Sequence, residues 1–112
     1  MRCLLGLLIF ATGVDGTRSV KRGVAYALSD ADDFTALNPG VGWWYNWHHS
    51  SGKPADHGGM EFVPMLWNFN FDKATIEASI QTHGSQYLLV LNEPNLVDQA
   101  NLVPSAAASQ VR

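Results

Sequence analysis

The sequence predicts an α/β chain built on a parallel sheet, and three observations support that class. Apolar runs of strand length recur at residues 23–28, 41–47, 62–67 and 87–92. They are rich in β-branched and aromatic residues and are bounded by Gly, Pro and Asn, as strands are. Between them lie stretches of helical periodicity or polar loop, at a spacing of about twenty residues, the period of a β/α unit. Four such units amount to half of an eight-stranded barrel. The expected architecture is therefore a partial TIM (β/α)8 barrel, about its first four β/α units.

Residues 1–16 stand apart from that pattern. Met1-Arg2 gives a short positive start, Cys3 to Val14 is almost uninterrupted apolar sequence, and Val14-Asp15-Gly16 offers small residues for cleavage. The run is too short to span a bilayer comfortably and reads as a secretory signal, with an uncleaved anchor as the alternative. Cleavage after Gly16 would start the mature chain at Thr17 and give a secreted product, extracellular or in a cell wall. It would also remove Cys3, the one cysteine, so stability must come from an apolar core rather than disulfides. Net charge is −3, which favours neither nucleic acid nor an anionic membrane as a partner. A neutral glycan suits this balance better.

The elements follow in order. After the first strand, Ser29 or Asp30 is the expected N-cap of a helix running to Leu37, with Phe34 and Leu37 on one face. Asn38-Pro39-Gly40 stops that helix. The second strand, 41–47, leads into a polar loop over 48–59. Pro64 lies inside the third strand and donates no ladder hydrogen bond, so an irregularity is expected there. The next helix is bounded by local chemistry: Asp72 caps its start, Ile76 and Ile80 form its apolar stripe, and Gly84 sits where a left-handed cap ends it. The fourth strand ends at Asn92-Glu93-Pro94. Pro104 then opens a last helix over 104–110, and the β/α pattern is still in progress at Arg112.

Aromatic residues are concentrated in the second and third strands: Trp43, Trp44, Tyr45 and Trp47, then Phe62, Trp67, Phe69 and Phe71. A pyranose packs its C–H faces on indole rings and bonds its hydroxyls to amides. Asn46, Asn68, Asn70 and Asn92 supply such amides alongside. Strand alternation puts Trp43, Tyr45 and Trp47 on one face and Trp44 and Asn46 on the other, so at least one set is core. Trp47 and Trp67, nearest the strand ends, are the expected sugar contacts, and Trp43 is expected to pack. Glu93 closes the fourth strand on the rim where barrel enzymes carry their catalytic groups. Its alternative is an ordinary surface glutamate. Glycoside hydrolysis uses paired carboxyl groups, and one of a pair is visible here.

Four ordered motifs carry a family resemblance: Lys21-Arg22-Gly23-Val24-Ala25-Tyr26, Trp44-Tyr45-Asn46-Trp47, Phe62-Val63-Pro64-Met65-Leu66-Trp67, and Asn92-Glu93-Pro94 followed by Gln99-Ala100-Asn101-Leu102. Through them the chain resembles the N-terminal half of glycoside hydrolase family 128, the fungal alkali-sensitive-linkage type of glycosyl hydrolase. The resemblance implies a TIM barrel of the large retaining clan, acting as an endo-type β-1,3-glucanase on cell-wall glucan. It implies Glu93 as general acid/base and Asn92 as a ligand of the sugar 2-hydroxyl. Tyr26, Trp44, Asn46, Trp47 and Trp67, all inside or closing these motifs, complete the candidate substrate contacts. Two positions depart from the family, which commonly has Phe and Asp where this chain has Leu91 and Asn95.

A retaining mechanism places its two carboxyl groups about 5–5.5 Å apart. The family's nucleophile lies near the end of strand seven, so it is expected outside residues 1–112. Asp72, Glu77 and Asp98 fall in helix or connection positions and Glu61 opens a strand, so none is expected to replace it. A general acid working near neutral pH predicts a cleft around Glu93. His48, His49 and His57 share a loop with Asp56, but their spacing fits no metal motif, so neither metal nor cofactor is expected. His83 is explained by its place at a helix C-terminus. The rival readings are a non-catalytic glucan-binding or wall-associated protein that keeps the tryptophans without turnover, and an inactive fragment that does not fold stably.

Overall fold

The computed structural model describes residues 19–28, 30–52 and 58–110. The expected leader and the loop residues Asp56 and His57 lie outside the described residues. In order along the chain come β1 (Gly23–Ala25), α1 (Ala31–Leu37), β2 (Trp43–Tyr45), β3 (Glu61–Phe62), β4 (Met65–Leu66), α2 (Lys73–His83), β5 (Leu89–Val90) and α3 (Pro104–Gln110). β1, β2 and β3 form one sheet and β4 and β5 another, with every pairing parallel.

The single four-stranded sheet expected from sequence is thus two small sheets, and Pro64 shows why. It interrupts the third run between β3 and β4, because a proline has no N–H to give to a ladder. β3 pairs with β2 in the register Trp44↔Phe62, while β4 pairs with β5 in the register Leu66↔Val90. Hydrogen bonds nevertheless continue along the run. Val63 N–H donates to Trp44 O at 2.9 Å, and Met65 N–H to His48 O at 3.0 Å. On the other side Leu89 N–H reaches Pro64 O at 2.9 Å and Leu91 N–H reaches Leu66 O at 2.8 Å. Residues 61–67 therefore connect the two sheets, and all four runs point the same way.

Both leading helices begin on aspartate. Asp30 caps α1, and Ser29 lies outside the described residues: the Asp30 carboxylate accepts from Asp32 N–H and Asp33 N–H, and the Asp33 carboxylate accepts from Asp30 N–H in return. Asp72 caps α2, accepting from Ala74 N–H, Thr75 N–H and the Thr75 hydroxyl. α2 ends at Gly84 (φ 62°), where Ser85 N–H turns back to Ile80 O at 3.1 Å. A side chain at that left-handed position would be strained, which is why glycine stands there.

The core is a cluster of Leu28, Phe34, Trp44, Met60 and Phe62, flanked by Val24, Leu37 and Val41. Trp44 is fully buried, with its ring 5.4 Å from Phe34 in edge contact and 4.9 Å from Phe62. That placement corrects one expectation: Trp44 is not available to a sugar, because its face of β2 is the one α1 covers. Trp43, on the opposite face, stacks with Tyr45 at 6.5 Å and lies over Gly23, filling the space a side chain there would need. Its expected packing role agrees with this placement.

Candidate functional site

Since all strands run parallel, their C-terminal ends share one rim. β2 delivers Asn46-Trp47-His48 there, β4 delivers Trp67-Asn68, and β5 delivers Leu91-Asn92-Glu93. Trp47 (φ 62°), Leu91 (φ 64°) and Glu93 (φ 40°) have left-handed backbones, with Asn101 (φ 48°) further along. Such a conformation costs a non-glycine residue about 1–2 kcal/mol. It persists where surrounding contacts over-determine it, and it clusters at functional sites.

A groove of about 310 Å³ opens on this rim, lined by Trp47, His48, His49, Trp67, Asn70 and Phe71, with Asp72 at its α2 end. The two tryptophans expected to contact sugar are therefore brought together. Trp47 is 41 % exposed and its ring meets Tyr45 edge-on at 5.3 Å. Sequence reasoning missed His48, His49, Phe71 and Asp72 as groove residues. They lie in irregular backbone, where no periodicity marks a side chain's direction. The His48 and His49 rings stand 4.1 Å apart. Burial, then the neighbouring His48, holds His49 below its ordinary value. The Asp72 carboxyl is also held low, first by the Thr75 hydroxyl, so the groove ends on an ionised acceptor. A larger hollow of about 610 Å³ lies against Gly42, Trp43, Glu61, Val63 and Tyr87. Its carboxylate, Glu61, already accepts from Gln86 N–H at 2.8 Å, so that hollow offers less chemistry.

Asn46 is engaged differently from expectation. Its Nδ2 donates to Ser50 O at 2.9 Å, and its Oδ1 accepts from His48 N–H at 3.1 Å. These bonds fold the loop that presents Trp47 and use one N–H and one lone pair of the amide. Tyr26 follows β1 on the same rim, 60 % exposed, and is not a wall of the groove.

Asn92 and Glu93 sit beside Trp67. Asn92 N–H donates to Trp67 O at 2.9 Å, and Ala100 N–H closes on Asn92 O at 3.1 Å. The Asn92 side chain donates to Gln99 Oε1 at 2.7 Å, which orients its carboxamide and leaves the carbonyl oxygen as an acceptor. Glu93 itself is exposed and does not line the groove. The cleft expected around it is not formed among the described residues. Other carboxylates are occupied elsewhere: Glu77 pairs with Lys73 at 3.5 Å, Asp30 and Asp33 close α1, and Asp72 caps α2. Among the described residues no group of three or more His, Cys, Asp or Glu is placed to hold a metal ion. None of the described helices is long and apolar enough to cross a membrane.

A family model described as the glycosyl hydrolase catalytic core matches residues 23–112. Among solved structures, the chain is similar to a subgroup II family-128 endo-β-1,3-glucanase from Pseudomonas viridiflava, with 48 % identity and a TM-score of 0.73. That match covers 83 % of this chain and 39 % of the other. A subgroup III curdlan-specific exo-β-1,3-glucanase from Blastomyces gilchristii, solved with glucose, matches at 40 % identity and a TM-score of 0.65, over 79 % of this chain and 38 % of its own. A subgroup I endo-β-1,3-glucanase from Amycolatopsis mediterranei, solved with laminaritriose, matches at 29 % identity and a TM-score of 0.62, over 79 % and 36 %. A search of curated proteins found no match. The chain thus spans well under half the length of these solved relatives, and it belongs to the glycosyl hydrolase catalytic core family, within glycoside hydrolase family 128.

Proposed function

We propose that this chain forms the acid/base-bearing part of a secreted, retaining endo-β-1,3-glucanase acting on cell-wall glucan. The observation that carries the reading is the rim around β5. Asn92 is bonded to the Trp67 backbone and steered by Gln99, Glu93 follows it in a left-handed backbone, and Trp47 and Trp67 share a groove next to them. In this mechanism Glu93 protonates the glycosidic oxygen as the bond breaks. It then takes a proton from the water that releases the sugar from a covalent glycosyl-enzyme. The Asn92 carbonyl accepts from the sugar 2-hydroxyl. Trp47 and Trp67 hold neighbouring rings through their indole faces.

The attacking carboxylate is assigned to the portion of a family-128 barrel beyond the matched segment, since the matched relatives are more than twice as long. The test is a chimera joining residues 17–112 to the rest of the Pseudomonas viridiflava barrel. It should release reducing sugar from linear β-1,3-glucan and lose that activity with Glu93→Gln. A chimera equally active with Gln at 93 would refute the assignment.

A second reading, glucan binding without turnover by the chain alone, is favoured by the aromatic groove together with the exposure of Glu93. Retention of the chain on insoluble β-1,3-glucan, with no sugar released and with retention lost in Trp67→Ala, would support it.

A further inference from the structure

The loop that presents Trp47 is tied down from α2. Ser79 and His83 lie one turn apart on that helix and both reach the loop. The Ser79 hydroxyl donates to the His49 carbonyl, and His83 Nε2 stands 3.3 Å from Ser51 Oγ. Ser79 and Ser51 are both buried, and the His83 ring meets Phe62 of the core edge-on at 4.9 Å. A hydroxyl on the buried stripe of a helix is costly unless it is bonded, and a mid-helix serine commonly turns back to a carbonyl of its own helix. Here the hydroxyl reaches a carbonyl thirty residues away in sequence.

Within the loop, other bonds set its shape. Asn46 bridges to Ser50 and His48, Ser50 N–H donates to His48 Nδ1 at 3.3 Å, and Gly52 N–H donates to Ser50 Oγ at 3.2 Å. Met65 N–H fastens the loop to β4 through His48 O. The α2 contacts add a second anchor, through two side chains that do not themselves line the groove. Trp47 holds its left-handed backbone inside this network, a conformation that relaxes when its supports are removed.

We propose that Ser79 and His83 are positioning residues that clamp the 46–52 loop onto α2 and thereby fix the Trp47 indole in the groove. The effect on ligand rests on the glucan reading above; the clamp itself does not.

The experiment pairs amide hydrogen exchange with titration of a linear β-1,3-gluco-oligosaccharide, using the full chain and its Ser79→Ala, His83→Phe and Trp47→Ala variants. His83→Phe keeps a ring against Phe62, so it remains informative if Ser79→Ala does not fold. Loss of one such hydrogen bond should speed exchange of the His48, Gly52 and Met65 amides about three- to tenfold. The Tyr26 amide, which bonds Tyr45 in the first sheet, should be unchanged. Affinity should fall by no more than Trp47→Ala itself loses, and adding Ser79→Ala to Trp47→Ala should cause no further loss. Unchanged loop exchange in both variants would overturn the clamp, as would affinity losses that add to those of Trp47→Ala. If Trp47→Ala leaves affinity intact, the sugar-contact reading fails, while the exchange data still decide the clamp.

Discussion

Replacing Trp47 by alanine and by glycine separates what its ring does from what its backbone stores. With 41 % of Trp47 accessible, a side chain of about 200 Å² leaves roughly 80 Å² open to a ligand. A sugar covering about half of that gains about 1 kcal/mol at about 25 cal/mol per Å², or about fivefold in affinity. Both variants should lose that factor. Their stabilities should differ. At φ 62° alanine keeps the left-handed penalty of about 1–2 kcal/mol, whereas glycine escapes it and loses about 0.4–1 kcal/mol through its freer unfolded chain. Trp47→Gly should therefore be about 0.5–1 kcal/mol more stable than Trp47→Ala, the reverse of their order inside a helix. Urea midpoints with matched slopes measure the difference, and calorimetric titration with a β-1,3-gluco-oligosaccharide measures affinity. An alanine variant as stable as the glycine variant would show that the loop does not enforce this backbone. Unchanged affinity would remove the indole from the binding surface.

Four further outcomes follow from the same geometry. Trp44→Ala should cost about 3–5 kcal/mol, a large part of a small domain's stability, and should abolish a cooperative thermal transition followed by circular dichroism. Gly23→Ala places a methyl where the Trp43 ring lies, so it should destabilise the fold by about 1–3 kcal/mol through overpacking, lowering the melting temperature and shifting tryptophan emission. Gly84→Ala meets no neighbour within 4 Å, so its cost is conformational, about 1 kcal/mol, with no change in the core signals. Burial holds His83 and His49 below their ordinary 6.5, which keeps the neutral form in the fold. Between that lowered value and 6.5 the unfolded chain binds more protons, so stability rises with pH there. It should be full above about pH 6.5 and decline as pH falls through the lowered values, and urea midpoints across that range in His83→Phe should decline less.

What was legible in the sequence is what local chemistry decides. Asp72 and Gly84 bound α2 because a carboxylate satisfies free N–H groups at one end and a glycine tolerates a left-handed turn at the other, whatever packs nearby. The irregularity at Pro64 was legible for the same reason. The inner face of β2 was not. Trp43, Tyr45 and Trp47 alternate with Trp44, so both faces read as aromatic, and the choice is made by Phe34 arriving from α1. The fate of Asn46 was legible in principle, since asparagine followed by a loop readily bonds the backbone two residues on.

Two features of Glu93 converge on one requirement. It is exposed, while a carboxyl serving as general acid near neutral pH needs desolvation or a neighbouring negative charge. Asp30, Asp33, Asp72, Glu77 and Glu61 are engaged in capping, pairing or strand contacts. On the proposed mechanism, a second carboxylate brought to about 5–5.5 Å, on an element that also covers the rim, would supply the nucleophile, the charge and the burial together. The Trp47 groove and the Asn92–Gln99 bond are both formed by described residues. On the proposed glucanase reading, substrate binding and bond cleavage are therefore separable. In the chimera proposed above, Glu93→Gln should leave oligosaccharide affinity within about twofold while removing hydrolysis, because the change keeps the side chain's shape and its polar contacts. Loss of both together would mean that Glu93 serves to hold the rim rather than to move a proton.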